Sequence, residues 1–188
     1  MQATATKAFC VGAMGVCLWM ARGATAHGPG EIYMRLISEE ALAVVTIMQE
    51  AEGEPYLGKL AVAEVIRNRM NKLYASDGTV AGTVLRAKQF SGWNATSTKT
   101  DLHNLFRIRS VKIDSDDPIV KDCIRAWNEA RAGSNTVYGA VLYYSPSALR
   151  AMGIADPDWA LPDSADEVAS VGKHRFFIPK PRPGTVKV

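Results

Sequence analysis

Two apolar helical segments meet at Glu50-Ala51-Glu52-Gly53-Glu54-Pro55-Tyr56, and this junction constrains the fold more than any other part of the chain. From Ser38 to Gln49 the chain reads as helix: Ser38 suits an N-cap, and Glu39 and Glu40 suit the positive end of the helix dipole. Leu42, Val45 and Met48 recur at helical spacing. The helix is expected to end near Glu52, with Gly53 as its C-cap and Pro55 barring continuation. A second helix is expected from about Leu57 to Leu73. Val62, Ile66 and Met70 form its stripe, which Ala61 and Val65 widen, and its Ala-rich face allows close packing on the first helix. Three carboxylates within five residues thus fall at a helix–turn junction. A half-buried carboxyl group at such a place, facing a cleft, can hold a proton near neutral pH. That property is the main requirement for breaking a glycosidic bond.

The rest of the pattern gives an α+β class, mainly helical, with a small β-sheet or hairpin. Asn68-Arg69 is placed to tie down loops through hydrogen bonds, and Ser76-Asp77-Gly78 is a turn signal. Val80 to Leu85 reads as a short helix, and Lys88 to Asn94 as a loop dense in aromatic and amide groups. Asp117-Pro118 opens a third helix with Ile119, Cys123, Trp127 and Ala130 as its buried stripe and Gly133 as its stop. Val141 to Tyr144 and His174 to Ile178 are short, apolar and aromatic, hence strand-like. Pro179 to Pro183 is expected to trail along the surface, and Asn94-Ala95-Thr96 matches a glycosylation sequon of low specificity.

At 188 residues the chain suits one domain with an extra segment, large enough to need no disulfide staples. The extra segment is expected at residues 1–26, leaving a catalytic domain at 27–188. Lys7 precedes an apolar stretch from Ala8 to Ala21, and Arg22 and Ala24-Thr25-Ala26 follow. A charged start, a short apolar middle and small residues at the end make a secretory signal. A membrane anchor through residues 8–21 and a helix packed in the fold are the alternatives; the stretch is short for a span, which needs roughly 20 apolar residues. The expected location is therefore the periplasm, cell wall or extracellular space. Removing 1–26 takes Lys7 and Arg22 and no acid, so 20 basic residues face 19 acidic ones. That balance does not point to nucleic acid, which favours a clustered basic face.

Cys10 and Cys17 lie inside the leader, and Cys123, left alone, can form no internal disulfide. His27, His103 and His174 are too scattered for a metal site, so no metal and no cofactor is expected. No Gly-rich phosphate loop is visible, and Ser145-Pro146-Ser147 resembles no nucleophile elbow. Among the carboxylates Glu50 is the candidate acid. Glu54 is four residues on, but Gly53 and Pro55 prevent one regular helix from carrying both on one face. Glu54 is expected to bond backbone amides of its turn or to pair with Arg67 or Arg69.

The segment Glu50-Ala51-x-Gly53-Glu54-Pro55-Tyr56-x-Gly58-x-x-Ala61-Val62-Ala63-x-Val65-x-x-Asn68-Arg69 resembles the signature of the SleB-type cell wall hydrolases, which include the spore-cortex-lytic enzymes. Gln89-Phe90, Leu142-Tyr143-Tyr144 with Pro146, and Gly172-Lys173-His174-Arg175-Phe176-Phe177 follow in the family's order. The resemblance spans roughly Ala41 to Ile178. It implies a lysozyme-like, lytic-transglycosylase-like fold acting on the glycan strands of peptidoglycan, with Glu50 as the single catalytic acid/base. Gln89, Phe90 and Ser91 are expected on the substrate, with Gln89 bonded to a sugar amide or hydroxyl; the alternative is a loop whose Phe90 plugs the core and whose Gln89 caps a helix. Family order favours Tyr144 over Tyr143 near the cleft, with its hydroxyl on the acetamido group, and puts His174 beside the glutamate. Glu54 and Arg69 would support the site from behind. Glu52 stands where the family often has Arg, which puts a third carboxylate near the site. A monomer is expected, with transient membrane association only through the N-terminal segment. The competing readings are a hydrolysing N-acetylmuramidase, with Glu52 or Glu54 activating water, and a wall-binding module with a dead site.

Overall fold

The computed structural model describes residues 38–93 and 116–181. The leader, the lead-in at 27–37, His27, His103, the sequon and the end of the Pro-rich tail lie outside the described residues. Helix α1 runs Glu39–Ala51, α2 Tyr56–Lys72, α3 Val80–Val84, α4 Pro118–Arg131 and α5 Pro146–Ala151. Strands β1 (Leu142–Tyr144), β2 (Ala165–Val171) and β3 (His174–Pro179) form one antiparallel sheet in the order β1-β3-β2. Single turns of 3-10 helix lie at Ser91–Trp93 and Asp158–Ala160. The class is the expected α+β.

The helix ends follow from local chemistry. Ser38 Oγ accepts the Ala41 amide at 3.2 Å and caps α1. Asp117 caps α4, whose first residue is Pro118, and Thr79 caps α3. Glu39 does more than face a dipole: its carboxylate accepts the amides of Val80 and Ala81, so α1 caps the start of α3. The expected role of Gly53 is corrected. Glu52 is the C-cap in right-handed helical conformation, and a Cβ at Gly53 would meet open space. Close approach occurs instead at Gly58, Gly92 and Gly172.

Helix α2 is the centre of the molecule. Gly58 through Ile66 are all buried, so it has neighbours on nearly every side, not one stripe. It packs against α1 and α4, whose Leu42, Ile47, Cys123 and Trp127 join Val62 and Ile66 in one core. Each such large apolar side chain contributes on the order of 1.5–3 kcal/mol on burial. Glu64 is fully buried in this helix. It accepts the Thr136 and Val137 amides, both at 2.9 Å, and the Thr136 hydroxyl at 3.0 Å, anchoring the loop that leads into β1.

Strand β2 and helix α5 are additions to the elements read from sequence. β2 is a polar edge strand carrying Asp166 and Glu167, which blunt the edge against further pairing. It turns into β3 through Gly172-Lys173, with Val171 paired to His174. Gly172 has φ 58, at the turn position where a type II′ hairpin favours glycine. The sheet is covered on both faces. Phe176 joins Ala61 and Val65 of α2, while Phe177 and Tyr144 pack with Trp159 on the other side.

Candidate active site

Glu50 lies in the last turn of α1, half-buried, where the helix stops and the loop before Trp93 comes over it. One oxygen, Oε1, accepts the Ser91 amide at 2.8 Å, the Ser91 hydroxyl at 2.9 Å and the Gly92 amide at 3.4 Å. The other, Oε2, accepts the Tyr143 hydroxyl at 2.8 Å. The carboxylate is thus oriented from two elements far apart in sequence.

Each element is held in turn. Trp93 Nε1 donates to Thr46 Oγ1 at 2.9 Å, tying the 3-10 turn to α1 one helical turn before Glu50. A Cβ at Gly92 would overlap the Gln49 side chain, so any larger residue there requires Gln49 to move. Arg69 donates from Nε to the Val141 carbonyl at 2.6 Å and from Nη1 to Gln89 Oε1 at 3.1 Å. Its guanidinium lies 4.9 Å from the centre of the Phe90 ring. Asn68 Nδ2 donates to the Ala140 carbonyl at 2.9 Å. The Asn68-Arg69 pair therefore does tie down loops: it welds the loop at 89–93 and the entry to β1 onto α2.

Several expectations change here. Phe90 is 1% exposed and sits in the core, so its ring supports the loop and does not face a ligand. Gln89 has its carbonyl oxygen on Arg69. Ser91 touches the carboxylate itself. The two tyrosines exchange roles: Tyr143, not Tyr144, stands beside Glu50, and Tyr144 is buried against Phe177 and Trp159 with its hydroxyl accepting from Arg175 at 3.2 Å. The reason is register. Tyr143 pairs with Phe176 across the strands, and that pair faces the helices. Tyr144 pairs with Arg175 and faces away. Glu54 bonds the amide of Lys173 in the β2–β3 turn at 3.0 Å, while Arg67 serves the carbonyls of Ala130 and Ser134.

His174 stands with its ring edge-on to Tyr143, the tyrosine that donates to Glu50, at 5.4 Å between centroids. Burial pushes its pKa below the ordinary 6.5, against the opposing pull of Glu54 and then Glu50. Burial, and then the charge of Glu50, holds the Tyr143 phenol well above its ordinary range, so it remains a hydrogen-bond donor. A lowered histidine pKa favours the folded state fully above pH 6.5, and that contribution is lost as pH falls through the lowered value. Thermal unfolding followed from pH 7.5 to 4.5 is expected to show a steeper acid-side loss of Tm for the natural protein than for H174Q. Parallel curves would exclude His174 as a source of that loss.

Among the described residues no group of His, Cys, Asp and Glu could hold a metal ion, and no helix is long and apolar enough to cross a membrane. A shallow depression of about 530 Å³ on α4, lined by Lys121, Ile124, Arg125, Asn128, Glu129 and Ala132, shares no residue with the Glu50 cluster.

The fold has relatives among solved structures. The catalytic domain of the Bacillus cereus SleB protein aligns with a TM-score of 0.54 at 22% identity, over 74% of this chain and 89% of that one. The catalytic domain of the germination-specific lytic transglycosylase SleB from Bacillus anthracis aligns with a TM-score of 0.52 at 19% identity, over 83% of this chain and 100% of that one. At these identities the likeness carries the fold. No curated protein matches the chain in sequence. The family model described as Cell Wall Hydrolase matches residues 53–177, starting just after Glu50 and taking in Ser91, Tyr143 and His174. Since that match spans more than half of the sequence, the chain belongs to the cell wall hydrolase family.

Proposed function

We propose that this chain degrades peptidoglycan by cleaving the N-acetylmuramic acid–β-1,4–N-acetylglucosamine bond as a lytic transglycosylase, with Glu50 as both acid and base. The observation that carries the reading is the clamp on Glu50. Oε1 faces backbone amides, which can only donate, whereas Oε2 faces a phenol, which can donate or accept. A proton on Glu50 therefore belongs on Oε2, with the Tyr143 oxygen accepting from it and the phenol O–H turned to donate to a water or a sugar.

The steps follow. Glu50 gives its proton to the bridging oxygen as the C1–O4 bond breaks, and the N-acetyl group of the substrate assists at C1. The 6-hydroxyl of the same muramic acid then bonds to C1 and passes its proton to Glu50. The product is a 1,6-anhydromuramic end, no water is consumed, and the acid is restored. One protein carboxylate suffices, unlike the usual pair. The competing hydrolysis needs a second carboxylate to activate water. Of the two candidates, Glu52 and Glu54, Glu54 has its carboxylate on the β2–β3 turn.

Mass spectrometry of digested peptidoglycan tests the reaction type. Anhydro ends are expected; reducing ends would make the protein a muramidase. Y143F is expected to lower kcat by roughly 10- to 100-fold, because it removes a hydrogen bond to a charged group worth roughly 1.5–3 kcal/mol. Wild-type kcat in Y143F would exclude that role. Action on the wall requires an exported protein, and residues 1–26 fit a leader or anchor, with a monomeric domain at 27–188 as the working unit.

A further inference from the structure

Glu54, also at the junction, is engaged by the distant β2–β3 turn, and its surroundings differ from those of Glu50. It is 7% exposed and boxed between two glycines. Gly58 stands in the first turn of α2, where a Cβ would lie 2.6 Å from Glu54 Cβ. Gly172 stands at the tip of the β2–β3 hairpin, where a Cβ would collide with Glu54 Oε2. The backbone of Glu54 is also fixed, since its carbonyl accepts Lys59 Nζ at 2.7 Å. Its Oε2 accepts the Lys173 amide at 3.0 Å, and Lys173 Nζ lies 3.9 Å from Oε1. His174 follows directly, edge-on to Tyr143, and Phe176 stacks on Tyr143 at 5.7 Å. Tyr143 in turn donates to Glu50. A continuous run of contacts joins Glu54, the hairpin tip, His174, Tyr143 and Glu50.

We infer that Glu54 is a positioning residue: its carboxylate pins the hairpin tip, and the tip sets where His174 and Tyr143 stand beside Glu50. The inference rests on the reading of Glu50 as acid and base, and deepens it. What the role needs from Glu54 is an acceptor oxygen aimed at the Lys173 amide, not a transferable proton. A displacement of about 1 Å in a catalytic group can cost on the order of 100-fold in rate.

The test compares E54A, E54Q and G172A in the full chain, on purified peptidoglycan. G172A keeps the carboxylate but breaks its contact with the hairpin tip, because a Cβ there would occupy the place of Glu54 Oε2. E54A and G172A are expected to lower kcat by up to about 100-fold with KM little changed and with the same products. Both should shift the NMR resonances of the Lys173 amide and the His174 imidazole. E54Q, which retains an acceptor oxygen, should keep most of the rate. Full activity in G172A would overturn the inference, since the tip would then have no influence. So would an E54Q as slow as E54A with unchanged resonances, which would give Glu54 a charge or proton role. If E54A fails to fold, G172A and E54Q decide alone. E50Q in the same assay is read separately: an active E50Q removes the acid/base reading, while the resonances still report whether Glu54 sets the hairpin.

Discussion

Replacing Glu50 by glutamine is expected to abolish wall lysis without disturbing the fold. The glutamine carbonyl can take the Ser91 amide, and the Tyr143 hydroxyl can turn to accept from the new NH₂ group, so the shape and most of the hydrogen bonds survive. What is lost is the proton. Acid/base work by one positioned group is typically worth ~100- to 10,000-fold in rate, and no other carboxylate touches the Ser91–Tyr143 clamp in any hydrogen bond described above. The measurement is release of anhydro-muropeptides from purified peptidoglycan by E50Q against the natural protein, with circular dichroism melts to show that both are folded. Equal release would mean that Glu50 is not the catalyst, and a wall-binding role would then account better for the family membership.

The largest expected effect on stability lies away from the site. Glu64 is 0% exposed in the middle of α2 and receives three hydrogen bonds from Thr136 and Val137. Truncation to alanine strands the buried Val137 amide, takes the acceptor from the Thr136 amide and opens a hole beside the core. A loss of roughly 2–5 kcal/mol is expected, because an unsatisfied buried donor costs about 1–3 kcal/mol. For a domain of this size that is a fall in Tm on the order of 10 °C. Glu64→Gln keeps the shape and one acceptor, so its loss should be intermediate. Thermal unfolding of the three proteins checks the order. A melting point for E64A within about 2 °C of the natural protein would show that this anchor contributes little. The same loop leads into β1, so an E64A protein that folds should also be slower, through misplacement of Tyr143.

How far the sequence could be read depended on the range of the interactions involved. Ser38, Asp117 and Pro118 act on backbone groups within three residues, so the starts of α1 and α4 were legible. So was the end of α2 near Leu73, where the cap amide returns to Arg69 and Met70. Strand β2 was not legible, because Ala165–Val171 carries no run of β-branched or aromatic residues and owes its form to pairing with β3. Glu64 escaped notice because a glutamate in a helix ordinarily faces water. The one local signal was its place inside an otherwise apolar stretch from Leu60 to Ile66. Ser-Pro at 145–146 has the form of an N-cap followed by a first helical residue, and could have revealed α5.

The amino-acid order by itself determined that a carboxylate would stand at the end of the first helix, because caps, breakers and helical periodicity act over a few neighbouring residues. It also determined the class of fold. Only the tertiary structure decided which tyrosine would meet that carboxylate. A strand offers its side chains to two faces alternately, and the choice between them came from pairing Tyr143 with Phe176, thirty-three residues away in sequence. Tertiary structure likewise decided that Glu54 would grip a hairpin formed more than a hundred residues later. Contacts over such separations depend on how whole elements pack, and no local pattern encodes them.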